Sequence, residues 1–99
     1  MHVISRRTLI EYYSQPNRKG AEGPLEAWYY EATHAHWGDP ADIKANYGSA
    51  SILKHNRVVF NIGGNKYRLV VRINYSSKTV FVRFIGTHEE YDKINAEEI

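Results

Sequence analysis

One histidine and a set of evenly spaced cations carry the chemistry that this sequence offers. Lys66, Arg68 and Arg72 fall at strand spacing in one apolar run, Arg83 lies in the next, and His88 follows it by five residues. Cleaving RNA without a metal needs a base for the 2′-hydroxyl, cations for the charge that builds on the phosphate, and an acid for the leaving 5′-oxygen. A histidine side chain changes charge near neutrality and suits either proton role. Arg68, Arg72 and Arg83 would clamp the phosphate through paired N–H donors. Lys66 or Tyr91 would supply the remaining acid or base, or Tyr91 would stack on a base. Asn61 is placed to orient a phosphate or ribose hydroxyl, Phe81 is a second stacking platform, and Arg57 and Lys54 extend the RNA contact. Taken alone, His88 is simply the first residue of a capped helix; it becomes the better catalyst only beside the cations.

The stretch that must position these residues is RVVFNIGGNKYRLVVRINYSSKTVFVRFIGT, from Arg57 to Thr87. Its three runs rich in Val, Ile, Phe and Tyr are broken at Gly63-Gly64-Asn65 and at Ser76-Ser77, which predicts an antiparallel meander closed by two-residue turns. In that register Ile62 faces Tyr67, Phe60 faces Leu69, Leu69 faces Phe84 and Val71 faces Val82 on the core side. Alternation sends Arg57, Val59, Asn61, Lys66, Arg68, Val70, Arg72, Asn74, Phe81, Arg83 and Ile85 to the other side. Five cations on one sheet face repel one another unless something anionic binds there.

Charge along the chain supports a polyanionic partner. The net charge is only +2, yet no acidic residue lies between Asp42 and Glu89, while eight lysines and arginines do. With no basic amphipathic helix or lipidation signal, nucleic acid is favoured over a membrane. The absence of cysteine excludes disulfides, thiolate metal sites and a thiol nucleophile. His34 and His36 are too few and diverge too far on a helix to form a metal site, so no metal or other cofactor is expected. No apolar run is long enough to span a membrane, and a cytoplasmic location is expected.

The flanks read as helices around a single domain, residues 1–99. His2-Val3-Ile4 is an edge strand, and Ser5 caps a helix to about Tyr13 with Leu9, Tyr12 and Tyr13 inward. Pro24 opens a second helix to about Ala35, with Leu25, Trp28, Tyr29, Ala32 and His36 on one face and Trp28 in the core. Asp39-Pro40 starts a short helix that ends near Tyr47-Gly48. Ser49 to Asn56 is readable as loop or as strand. Thr87 and Glu90 form a capping box at the start of a short C-terminal helix. Lys66, opposite Thr87, would thereby bring His88 to the rim of the basic face.

The opening HVISRRTLIEYY, the central PLEAWYYEA, the ADIK segment, NRVVFNIGGNKYRLVVRINY and the closing VFVRFIGTHEEYDKI together resemble the HigB toxins of type II toxin–antitoxin modules. The likeness covers essentially the whole chain. It implies an α+β, RelE-like fold: a three-strand antiparallel meander plus the N-terminal strand, packed on two N-terminal helices, with a short C-terminal helix. It also implies an endoribonuclease that cuts mRNA in the ribosomal decoding site, and a HigA antitoxin whose helix-turn-helix domain binds operator DNA. His88 and Tyr91 lie where relatives place acid–base residues, and Arg68, Arg72 and Arg83 where relatives clamp phosphate. The sequence lacks the His-Asp-Tyr-His grouping of some HigB toxins, which leaves base and acid unassigned.

The reading is a ribosome-dependent, metal-independent mRNA interferase that a HigA antitoxin neutralises. Two others compete with it: a ParE-like inhibitor of DNA gyrase, and an RNA- or ribosome-binding module without catalysis.

Overall fold

In the computed structural model, which describes residues 1–99, local sequence signals set most element boundaries. The Ser5 hydroxyl accepts the Thr8 amide and starts α1 (Arg6–Tyr13), following strand β1 (His2–Ile4). A 3₁₀ turn at Lys19–Ala21 leads into α2 (Glu22–His34), whose buried face is Leu25, Trp28 and Ala32. Pro24 is the third helical residue rather than the first, and His36 lies beyond the helix end and is exposed. Asp39 caps α3 (Pro40–Asn46) by accepting the Asp42 amide, and Pro40 fits the first turn because its missing N–H would be unpaired there.

The remaining strands are β2 (Ser51–Ile52), β3 (Arg57–Ile62), β4 (Tyr67–Asn74) and β5 (Thr79–Thr87), followed by α4 (His88–Tyr91). They form one five-stranded sheet in the order β1-β5-β4-β3-β2, antiparallel except for the parallel β1–β5 pair. The α+β architecture is the expected one. Ser51–Ile52, readable from sequence as loop or strand, is a fifth strand, and the short helix expected after Asp39 is α3, which buries Ile43. Tight turns close both meander connections, with the Lys66 amide donating to Gly63 O and the Lys78 amide to Tyr75 O, and the register beside each turn is the expected one. Gly63 and Gly64 take φ of +62° and +70°, a region that glycine enters without steric cost.

The inward face centres on Phe60, fully buried. Its ring lies 5.4 Å from Trp28, 5.9 Å from Trp37 and 5.1 Å from Tyr47. Leu9, Leu25, Ile43, Leu69, Val71 and Ile73 complete that core. Burying each large apolar side chain is worth about 1.5–3 kcal/mol, and each well-set aromatic pair adds roughly 0.5–1.5 kcal/mol.

The outward face departs from the sequence reading in two ways. A β-bulge in β5 places Val70 opposite Phe84 and Val71 opposite Val82, so Arg83 has no partner. Beyond it the alternation flips: Phe84 turns outward, Ile85 turns to the core, and Leu69 faces Ile85 rather than Phe84. One extra residue accounts for all three. The outward face is also partly covered. Val59, Val70 and Ala96 are buried in a second cluster with Leu53, Phe84, Tyr91, Ile94 and Ile99. The segment after α4 thus lies across the middle of the sheet.

Phe60→Ala removes the ring on which three other aromatics pack. It should lower unfolding stability by about 3–5 kcal/mol, a large part of the roughly 5–15 kcal/mol of a small domain. Urea denaturation measures this, and a loss below about 1 kcal/mol would contradict the packing.

Candidate nucleic-acid interface

Strand pairing brings part of the predicted set together. Tyr67, not Lys66, pairs with Thr87, and the Lys66 carbonyl instead accepts the His88 amide at 3.2 Å. Lys66 and His88 are therefore neighbours through the backbone, one residue further along than expected because of the bulge at Arg83. Arg68 stands between Asn61 on β3 and Gly86 on β5. Lys66, Arg68, Asn61 and His88 thus share the hairpin end of the sheet. Arg72 lies four residues along β4 from Arg68, about 13 Å at strand rise. Its guanidinium sits 4.7 Å over the Phe81 ring, and Arg83, at the bulge, falls between the two arginines along the sheet.

The cations divide by what holds them. Arg57 donates through Nε to the Ile99 backbone oxygen at 3.0 Å and through Nη1 to His55 O at 2.9 Å, so it anchors the covering segment. Lys44 and Lys78 donate to backbone oxygens on the helical side. Arg68 donates to Asn65 O and Tyr67 O within its own hairpin, and Asn61 donates weakly to Ser49 O at 3.4 Å. Lys54, Lys66 and Arg83 are exposed. Tyr91 is half-buried against the second cluster.

His88 is exposed, and its Nε2 lies 3.6 Å from the Asp92 carboxylate one helical turn on. That contact leaves Nδ1 as the ring nitrogen open to a ligand. The start of α4 is fixed by the capping box: Glu90 N–H to the Thr87 hydroxyl at 3.2 Å, Thr87 N–H to Glu90 Oε1 at 2.7 Å.

The same carboxylate reaches a second element, which the sequence reading missed. Tyr12 of α1 donates its hydroxyl to Glu90 Oε1 at 3.3 Å, and Arg18 places Nη2 3.5 Å from Oε2. The Thr87 amide, with help from Arg18 and Tyr12, holds the Glu90 carboxyl below the usual range against the opposing effect of burial. Burial first, and the Glu90 charge second, push the Tyr12 hydroxyl up to about 12. The capping box was legible three residues apart, whereas nothing local announces that residues 12 and 18 meet residue 90.

Gly86 closes the junction. A Cβ there would lie 2.5 Å from the Phe84 ring and 3.0 Å from Glu90 Cβ. Gly86→Ala should therefore displace α4, lowering stability by about 1–3 kcal/mol and shifting the His88 and Glu90 amide resonances; an unchanged spectrum would contradict this packing. Because the folded pKa of Glu90 is depressed, its stabilisation is complete above the ordinary carboxyl value of 4.5 and is lost as pH falls through the lower folded value. The stability gap between wild type and Glu90→Gln should then be widest near neutrality and close in acid. Denaturation midpoints measured across that range check it.

Residues 21–94 match the HigB_toxin family, described as the RelE-like toxic component of a toxin–antitoxin system. The chain is 29% identical over 98 residues to the mRNA interferase toxin HigB of Escherichia coli K12, covering 97% of this chain and 92% of that protein. The mRNA interferase HigB of Shigella flexneri shows the same figures. That of Escherichia coli O6:H1 strain CFT073 is 29% identical over 97 residues, covering 95% of this chain and 91% of that protein. A sheet with a cationic hairpin end, backed by helices and closed by a capped C-terminal turn, is thus found in a chain that belongs to the HigB family of RelE-like toxins.

Proposed function

We propose that this toxin is an mRNA interferase that cuts messages bound to the ribosome, without a metal, in the cytoplasm, and that a HigA-type antitoxin restrains it. The observation that carries the reading is the meeting of Lys66, Arg68 and His88 at the hairpin end of the sheet, within a segment that holds no acidic residue from 43 to 88. The relatives' names, which specify mRNA interferases, agree with it.

In this reading the scissile phosphate lies against Arg68, which exchanges its carbonyl partners for phosphate oxygens. The 2′-hydroxyl attacks the neighbouring phosphorus, its proton passes to a base, and the P–O5′ bond breaks as an acid protonates the leaving oxygen. His88 performs one of these transfers through Nδ1, with Asp92 steadying the ring. Lys66, the closer neighbour, performs the other or neutralises the phosphorane, and Tyr91 at the end of α4 is the alternative. Arg83 and Arg72 grip the flanking backbone, since about 13 Å separates Arg72 from Arg68 at strand rise. Phe81, already paired with Arg72, is the stacking platform there, and Lys54 and Asn61 are peripheral RNA contacts.

The test is 5′-end mapping of a defined message in a reconstituted translation system, with and without ribosomes. Wild type should cut only with ribosomes, and His88→Ala should be slower by about 10²–10⁴-fold. Arg83→Ala should weaken binding and flatten its salt dependence by about one counterion. Intact message in every lane would sink the nuclease reading in favour of a gyrase-directed toxin. Cleavage unaffected by His88→Ala would reject the assigned residue alone.

A further inference from the structure

The helical turn that carries His88 is too short to hold itself in place. α4 has four residues and no buried side chain, and a single isolated turn is unstable. One tie is the His88 amide, which meets the Lys66 carbonyl at 3.2 Å. At about 100° per residue, Glu90 leaves the turn roughly 200° around from His88, so the two side chains point to nearly opposite sides. His88 faces solvent with Asp92 at 3.6 Å, whereas Glu90 faces α1 and the loop after it. What grips Glu90 from behind therefore sets where His88 stands in front.

That grip is more than a helix cap needs. The cap uses only Glu90 Oε1, which accepts the Thr87 amide at 2.7 Å. Tyr12 adds its hydroxyl to the same oxygen at 3.3 Å, and Arg18 takes Oε2 at 3.5 Å. The Tyr12 ring already packs edge-on against Tyr67, with centroids 6.1 Å apart, and a phenylalanine would fill that space without burying a hydroxyl. Arg18 lies over the Tyr12 ring at 5.8 Å and leaves its own Nε buried with no hydrogen-bond partner. A buried N–H without a partner costs stability, so stability alone does not account for the guanidinium at this place.

We propose that Tyr12 and Arg18 are positioning residues for His88: by clamping Glu90 they fix α4 against the β3–β4 hairpin, so that the imidazole meets a phosphate held at Arg68. The proposal rests on the reading of His88 as a proton-transfer residue. Neither Tyr12 nor Arg18 touches RNA in it. A carboxylate held on both oxygens by donors from α1 and from the following loop keeps one orientation, and α4 shifts only when that hold is broken. Misplacing a catalytic group by about 1 Å, through a change away from the chemistry, costs roughly 10²-fold in rate. The loss falls on kcat, because the sheet cations rather than His88 bind the message.

The experiment compares cleavage of a defined message on ribosomes by full-length wild type, the Tyr12→Phe, Arg18→Gln double variant and Arg6→Gln. Arg6→Gln opens the other ion pair of α1, the one to Glu26, which does not reach α4. The double variant should lose about 10–100-fold in kcat at an unchanged KM, while Arg6→Gln cuts like wild type. Placed in His88→Ala, the same two substitutions should slow cleavage no further, because groups that act through one residue are not additive. Hydrogen exchange reads the clamp without RNA: in the double variant the His88 amide should lose protection while the Leu69 amide of β4 keeps it. A loss that adds to that of His88→Ala, an equal loss in Arg6→Gln, or wild-type cleavage and exchange in the double variant beside a slow His88→Ala would each overturn the proposal alone. A wild-type rate in His88→Ala would overturn the reading of His88 and the proposal with it.

Discussion

Val59 and Val70 point away from the main core, in the middle of the sheet face that carries the arginines, and both are buried. Two apolar side chains at the centre of a sheet must be covered, and Leu53, Phe84, Ile94, Ala96 and Ile99 cover them. That requirement fixes the path of the chain after α4. It also assigns Arg57 to holding the Ile99 oxygen, and it divides the cationic face into a hairpin end with Lys66, Arg68 and His88 and a distal group with Arg72 and Phe81. A fully open face would have presented five cations as one plane. The covered one leaves a defined end at which Lys66, Arg68 and His88 come together.

The β-bulge serves the same arrangement. Without it Phe84 would point into the Phe60 core and Ile85 out to solvent; with it Phe84 joins the cover and Ile85 the core. Arg83 is the residue left over, and it stays exposed at the seam. Next along, Gly86 has no side chain because Phe84 and Glu90 occupy the space. Glu90 then fastens α4 to α1 and to Arg18. The placement of His88 therefore depends on a chain of contacts that runs from the bulge through the cap to the far helix. The side chain of His88 is exposed, while the backbone beneath it is held by the Lys66 carbonyl and by the capping box.

Charge is segregated along the sequence more than between faces. No acid lies from 43 to 88 and no lysine or arginine from 20 to 43, but Arg6, Arg7, Arg18, Lys19 and Lys44 also lie on the helical side.

Short-range rules carried much of this in the sequence. Ser5, Asp39 and Thr87 announced their helices because capping is a contact over three residues. The β3–β4 register, the Arg68–Asn61 and Arg72–Phe81 pairings and the burial of Trp28 followed from alternation and helical spacing. The family itself was legible in contiguous blocks. What tertiary structure alone decided has long sequence separation or rests on a single inserted residue. The bulge at Arg83 inverts the faces of Phe84 and Ile85, although nothing in VFVRFIGT marks it, because an unpaired residue is defined by its partner strand. The cover over Val59 and Val70, the use of Arg57 to hold it, and the meeting of Tyr12 and Arg18 with Glu90 all join residues well separated in the chain. Periodicity says which face a residue takes; only the folded chain decides what else comes to lie on that face.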